Sequence, residues 1–273
     1  MKTTLTIDFP PRFETRWGHG NSTPMHIERL FEANRDRQIE FIDLIASFGR
    51  NFLNIAIDTN ESREPRWNQI WFPPLDGMSA YAMVAGKRPK RLIEIGSGNS
   101  TKFFTRAKRD HGIDVHITSI DPRPREEIDV LCDTVHRQGL EDVDLKVFDA
   151  LEAGDVVFFD GSHRSFQNSD VTVFFIDVLP RLANGVLVGV HDIFWPDDYP
   201  KAWLERYYNE QFLLGAYMLA FGDKFPLVFS SSYAWKRLGA EMKGRMPEHV
   251  TASLPPLRGG CFWWEKRTVA ILE

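Results

Sequence analysis

Residues 91–110 read RLIEIGSGNSTKFFTRAKRD. An apolar run ends at two glycines one residue apart, Gly96 and Gly98, and a helix-compatible stretch follows from Thr101 to Asp110. A short apolar run bounded by glycine predicts a strand covered on both faces. The same unit recurs downstream. VHITSID (115–121), DTVHRQ (133–138), DVVFFD (155–160) and NGVLVGVHD (184–192) predict the second to fifth strands, with helices over 125–133, 140–154 and 170–182 between them. Strand–helix alternation implies right-handed crossovers and a doubly wound, Rossmann-like, mostly parallel α/β sheet. After one long predicted helix (201–222), FPLVFSSS (225–232) and GGCFWWEKR (259–267) predict two more strands, separated by a linker at 236–258. The expected result is a seven-stranded sheet with an antiparallel C-terminal hairpin at its edge.

Upstream, residues 1–22 show no period and read as an arm. Ser22 or Thr23 before Pro24 marks a helix start. Ile27, Leu30, Phe31, Ile39, Ile42, Ile45 and Phe48 recur at helical spacing, interrupted by the charged stretch 32–37. Residues 58–75 are turn-rich and read as a connecting segment, followed by a short helix at 77–85. The expected division is an N-terminal arm and helical cap at 1–65 and a sheet domain at 66–273.

The composition, 43% hydrophobic and 26% charged over 273 residues, suits a soluble globular chain with a full core. A net charge of −5 argues against a nucleic-acid partner, which calls for a basic surface. No apolar run approaches the roughly 20 residues that span a bilayer. The start, MKTTLTIDFPPRFE, lacks the apolar core of a signal peptide. Cys132 and Cys261 lie far apart without metal spacing and read as reduced thiols. Together these features point to the cytoplasm. Trp195, Trp203, Trp235, Trp263 and Trp264 crowd the C-terminal third, where aromatic walls for a substrate pocket are one use.

Ligands of such sheets bind at the carboxyl ends of the strands, so the first glycine turn is the first place to look. The dinucleotide fingerprint needs a third glycine, and Thr101 stands there instead. Glu94 lies inside an apolar strand, where a carboxylate needs a partner; S-adenosylmethionine (SAM) offers an ammonium and a sulfonium. Asp121 ends the second strand, 23 residues after Gly98, in the place of a carboxylate that accepts from ribose hydroxyls. Asn99, Ser100 and Thr101 read as the cap of the next helix, and Lys102 as a solvated helix residue in preference to a basic group aimed at a pyrophosphate.

EIGSGNST, SIDPRPR, DVVFFDGSH, VLPRLANGVLVGVHDIFWPDDYP and NEQFLLGAYM together resemble class I SAM-dependent methyltransferases, in the branch whose fifth strand ends in HDIF-x-P-x-DYP. The resemblance covers about residues 65–235. It implies SAM as cofactor, with Glu94, Gly96, Ser97, Gly98 and Asn99 along its methionine half. It places Asp121 at the ribose, Gln138 and Leu140 at the adenine, and Asp160 beside the cofactor.

A second constellation closes the fourth and fifth strands. In a doubly wound sheet DGSH and HDIF end beside the first strand, so Asp160, His163, His191 and Asp192 should converge near the transferable methyl. A cluster of titratable groups at adjacent strand ends marks a site. Methyl transfer to O or N must align donor and acceptor and remove one proton, and histidine, with a pKa of about 6.5, suits that task. The favoured expectation is a metal-free base, His191 or His163. The alternative is a divalent metal on Asp160 and Asp192 that lowers the acceptor's pKa. Trp195, Asp198 and Tyr199 of WPDDYP are candidates for substrate contact, and Asp198 equally for a helix cap. The expected partner is a small-molecule acceptor. The N-terminal helix and the exposed aromatics could serve a lid or a homodimer. Rival readings are a SAM-consuming cyclisation or alkyl transfer, an NAD-dependent oxidoreductase, and a silent binding module.

Overall fold

The computed structural model describes residues 12–246 and 254–268, together with positions 4, 6, 8, 9, 248 and 252. Much of the opening stretch, and part of the 236–258 segment, lie outside the described residues.

Each apolar run becomes a strand: β1 (Arg91–Ile95), β2 (His116–Ile120), β3 (Thr134–His136), β4 (Val156–Phe159), β5 (Leu187–Val190), β6 (Leu227–Ser230) and β7 (Phe262–Glu265). They form one seven-stranded sheet in the order β3-β2-β1-β4-β5-β7-β6. The first five are mutually parallel, and β7 runs antiparallel between β5 and β6. This is the expected doubly wound sheet with its C-terminal hairpin. Ile95, Phe159 and Val190 stand in register, so the residues that follow them leave the sheet at one edge.

The helices are α1 (Met25–Ala33), α2 (Arg35–Ser47), α3 (Gly49–Leu53), α4 (Pro74–Lys87), α5 (Asn99–Asp110), α6 (Asp170–Val173), α7 (Leu179–Arg181), α8 (Glu210–Phe221), α9 (Ser231–Arg237) and α10 (Gly239–Arg245). α6 and α7 are joined by a π-helical turn, Phe174–Val178. The N-terminal helices share the single buried cluster of the sheet domain. Phe41 of α2 packs on Phe229 of β6, and Phe31 of α1 on Tyr233.

Five expectations are corrected. Residues 125–133 form only a 3₁₀ turn, Asp129–Leu131. Val130 is exposed there while Ile128 is buried, so no continuous apolar face holds a longer helix. Residues 140–154 give two 3₁₀ segments, Leu140–Asp142 and Leu145–Ala150. The Asp144 carboxylate accepts from the Lys146 amide, a local bond that competes with helix. The 201–222 helix is broken: a 3₁₀ segment, Lys201–Arg206, ends at Tyr207 in left-handed conformation before α8 begins. The 236–258 linker contains α10 and the end of α9. At the first helix, Pro24 itself occupies the cap position, and Thr23 donates to Glu28 instead of capping.

The sheet's centre shows why a glycine interrupts β5. Gly189 lies between Phe158 of β4 and Trp263 of β7, whose rings stack at 5.2 Å. A Cβ on Gly189 would lie 2.4 Å from Trp263 and 2.7 Å from Phe158. Trp263 is fully buried and donates to Ser79 Oγ at 3.1 Å, so it has little room to yield. Gly189→Ala should therefore lower stability by about 1–3 kcal/mol, the usual cost of overpacking. A urea midpoint equal to the wild type's would show that the indole moves aside.

Candidate functional site

The site begins where β1 and β4 end. The ladder continues one residue beyond each strand: Gly96 N donates to Ile120 O, Asp160 N to Ile95 O and His191 N to Phe159 O. Gly96 has φ +79°, and a Cβ there would fall 1.8 Å from the Asp160 carbonyl oxygen. Only glycine permits both the left-handed turn and the contact. Two residues on, a Cβ on Gly98 would meet nothing within 4 Å. The turn thus closes against β4 and opens outward at Gly98. There a small cleft is lined by Ser97, Gly98, Asn99, Ser100, Asp160, Trp71, Phe72, Arg125 and Glu126.

The Asp121 carboxylate accepts from the Ser97 amide at 2.8 Å and the Arg123 amide at 2.7 Å. It is fixed at the end of β2 beside the turn, as read from the sequence. Gln138 follows β3 and is exposed, whereas Leu140 is buried. Glu94 has partners other than an open ligand site. It is fully buried and accepts from Ser100 Oγ and Thr101 Oγ1, both at 2.5 Å, while Thr101 Oγ1 also accepts from Gly98 N. Gly98, not Asn99, occupies the helix cap position. Burial pushes the Glu94 carboxyl up to about 8 despite those hydroxyls. Lys102 is not a solvated residue: it is buried and pairs with Glu126 at 2.8 Å.

Asp160, His163, His191 and Asp192 do converge. His163 Nε2 lies 3.4 Å from both Asp160 Oδ1 and Asp192 Oδ2. His191 Nδ1 lies 3.3 Å from Asp160 Oδ1 and 3.5 Å from Asp192 Oδ1. His163 and Asp192 both hold left-handed backbone, with φ 61° and 58°, a strained state that clusters at functional sites. Two carboxylates that the sequence reading missed back the imidazoles. Asp76 of α4, fully buried, lies 3.0 Å from His191 Nε2 and accepts from the Gly260 and Cys261 amides. Glu210, the first residue of α8 and also fully buried, bonds His163 Nδ1. The only sequence signal for either was a lone acid in an apolar, small-residue stretch, LDGMSAYAM or NEQFLLGAYM.

Burial alone would discharge the imidazoles. The carboxylates outweigh it: Glu210, Asp192 and Asp160 raise His163 to about 9, and Asp160 and Asp192 raise His191 well above its ordinary value. Burial likewise opposes the Asp160 charge, but His191, His163 and Arg125 hold that carboxyl below its ordinary range. Asp192 is shifted the other way, because burial exceeds the pull of the two imidazoles. In the cofactor-free chain both imidazoles are therefore charged near neutral pH.

The WPDDYP residues have other partners. Asp198 caps no helix: its carboxylate accepts from the Arg16 and Trp17 amides of the N-terminal arm. Trp195 is buried, donates to Gln211 O at 2.5 Å and packs on Trp17. The Tyr199 hydroxyl, buried as well, accepts from Gln211 N.

Fold and site together define an open, doubly wound α/β domain with a cleft at its first glycine turn and an acid–imidazole cluster next to it. Residues 93–193, from β1 through both acid–imidazole loops, match a family described as a methyltransferase domain. Among solved structures the chain is similar to the MycE methyltransferase from the mycinamycin biosynthetic pathway in complex with Mg, SAH and mycinamycin VI. That match has 15% identity and a TM-score of 0.42, over 84% of this chain and 56% of that one. It is similar to the O-methyltransferase TomG from Streptomyces achromogenes, involved in tomaymycin synthesis, in complex with SAM (15% identity, 71% and 78% covered, TM-score 0.35). It is also similar to an O-methyltransferase from Bacillus cereus in complex with SAH (16% identity, 64% and 88% covered, TM-score 0.38). No curated protein matches the chain. Among the described residues no helix is long and apolar enough to cross a membrane.

The Glu94 shift has a measurable consequence. A group whose folded pKa is raised contributes stability that is full below its unfolded value, about 4.3 for glutamate, and is lost as pH rises through the folded value. For Glu94 that value is about 8. Without ligand, wild-type stability should fall from pH 5 to pH 8.5 more steeply than that of Glu94→Gln, which carries no such proton. Parallel curves in guanidinium titrations would show that Glu94 folds ionised.

Proposed function

We propose that this chain transfers a methyl group from SAM to an O or N atom of a small-molecule acceptor, the acceptor's proton passing to the His/Asp cluster. The observation that carries the reading is the position of Asp160. Asp160 lines the cleft at the glycine turn, and its carboxylate lies 3.3 Å from His191 and 3.4 Å from His163. One residue thus joins the cofactor cleft to the proton-handling groups, as in-line transfer with proton removal requires.

The cleft suits SAM in three respects. Gly98 leaves room for a ligand's approach, Asp121 follows β2, where a ribose-binding carboxylate is expected, and Asp160 offers a carboxylate to a sulfonium. A pyrophosphate would need the open amides of a helix start. Here the Gly98 amide is already bonded to Thr101 Oγ1 and the Ser97 amide to Asp121, and the buried Glu94 carboxyl lies under the first turn of α5, which disfavours the NAD reading. A sulfonium beside Asp160 takes over part of the charge-balancing role of the imidazolium groups. That frees an imidazole to receive the acceptor's proton.

A second reading adds a divalent cation. Donor atoms of Asp160, His163 and Asp192 lie within 4.8 Å of one another, and two carboxylates with an imidazole are a fitting donor set. When bound, such an ion would lower the acceptor's pKa.

Calorimetric titration should show SAM and SAH binding, with NAD giving no heat, and Asp121→Ala should weaken SAM binding more than tenfold. NAD binding without SAM binding would overturn the proposal. Turnover of SAM should yield S-adenosylhomocysteine; methylthioadenosine as product would instead indicate cyclisation or alkyl transfer. Full activity after EDTA treatment would remove the cation.

A further inference from the structure

A sulfonium is a cation with no hydrogen to donate. Proteins hold such a cation with carboxylates and with the faces of aromatic rings. The cleft at the glycine turn is bordered by a residue of each kind, Asp160 and Trp71. Glu126 borders it too, but its carboxylate is paired with Lys102 at 2.8 Å. Trp71 is 50% exposed, and its indole already carries a cation: the Arg125 guanidinium lies 4.4 Å from the ring centroid. Arg125 borders the same cleft.

The two partners are held very differently. The segment that carries Trp71 is fixed. Gln69 Oε1 accepts from the Trp71 amide at 2.9 Å and from the Phe72 amide at 2.7 Å, while Gln69 Nε2 donates to Phe72 O. Phe72, the next residue, is buried, with its ring 5.0 Å from His191 and 5.9 Å from Phe103. The indole is therefore mounted on the core. Arg125 is exposed and belongs to the irregular stretch between β2 and the Asp129–Leu131 turn. Among the described residues its guanidinium makes no ion pair and no hydrogen bond, and its contact is the Trp71 ring. The guanidinium can leave while the ring stays where it is.

Resting on the proposed methyl transfer, we infer that Trp71 binds the sulfonium of SAM through its ring face, and that Arg125 covers this face until SAM displaces it. One cation replaces another on the same ring, so the indole needs no rearrangement and a single contact breaks. In the transfer itself the acceptor's electron pair forms the bond to the methyl carbon, and the acceptor's proton leaves to the His/Asp cluster. The sulfur–methyl bonding pair stays on sulfur, which becomes a neutral thioether. A neutral sulfur offers the indole no charge, so Arg125 regains the ring and the product is loosened. The Trp71–Arg125 pair thus tells substrate from product by charge.

The test is calorimetric titration of the full chain with SAM and with SAH, joined to ¹⁹F NMR of the chain labelled with 5-fluorotryptophan. Both ligands share the cost of moving Arg125, so the ratio of their dissociation constants isolates the sulfonium–indole contact. In Trp71→Leu the preference for SAM over SAH should fall about two- to fivefold, the range of an exposed cation–π contact. Arg125→Gln should tighten SAM by a similar factor, because the competing cation is gone. The Trp71 resonance, assigned by its loss in Trp71→Phe, should differ between wild type and Arg125→Gln without ligand and coincide once SAM is bound. Both side chains are exposed, so these variants keep the core intact. An unchanged SAM-to-SAH preference in Trp71→Leu overturns the inference. So does weaker SAM binding in Arg125→Gln, which would place the guanidinium on the methionyl carboxylate, or a resonance difference that persists with SAM bound. Absent binding of both ligands defeats the methyltransferase reading itself, whereas binding with any of those three outcomes defeats only the roles of Trp71 and Arg125.

Discussion

A carbonyl oxygen stands where residue 96 would carry a side chain. With a Cβ at Gly96 only 1.8 Å from Asp160 O, the turn after β1 and the turn after β4 share one volume, and no other residue type fits. This contact brings the Ser97–Gly98 turn and Asp160 to the same corner. It also sets the starting direction of α5, because Gly98 N is held by Thr101 and Ser97 N by Asp121. Asp121 and Asp160 follow β2 and β4, and Glu94 is the last residue but one of β1 between them.

Such a concentration of buried acids is unfavourable unless each is compensated, since taking one ion out of water costs several kcal/mol. The compensation comes from the His163 and His191 imidazoles beside Asp160, from the amides on Asp121 and from the hydroxyls on Glu94, and two further acids reach those imidazoles from outside the sheet. Asp76 reaches from α4 to the amides that open β7, and hydrogen bonds to a charged group contribute about 1.5–3 kcal/mol each. Glu210 reaches from α8. The elements that frame the site are thereby also fastened by it: α4 and β7 meet through Asp76, and α8 meets the loop after β4 through Glu210 and Asn209. The acid–imidazole cluster and the packing of the sheet's distal half are one system.

This explains what the sequence disclosed. The strands were legible because both faces of a parallel sheet demand continuous apolar runs, and the ends of those runs located Gly96, Asp121, Asp160 and His191. The segments 125–133 and 140–154 were not, because short runs of mixed polarity follow local side-chain bonds and burial instead of period. Asp76 and Glu210 were missed for a different reason. Their partners lie 115 and 47 residues away, and no local pattern encodes a pairing that only the closed fold creates. Glu94 was noticed as an anomaly, but its partners proved to be the hydroxyls six and seven residues on.

The WPDDYP turn shows how one sequence feature can serve a site indirectly. Its acids and aromatics seat the N-terminal arm: Asp198 holds the Arg16 and Trp17 amides, and Trp17 lies on Trp195 and Phe212. Trp195 and Tyr199 in turn bond both ends of the Gln211 backbone unit, one residue from Glu210. The turn after β5 therefore fixes the height at which α8 starts. The height of α8 decides whether the Glu210 carboxylate reaches His163 or falls short. The segment thus ties the N-terminal arm to the start of α8, and through α8 to the acid–imidazole cluster.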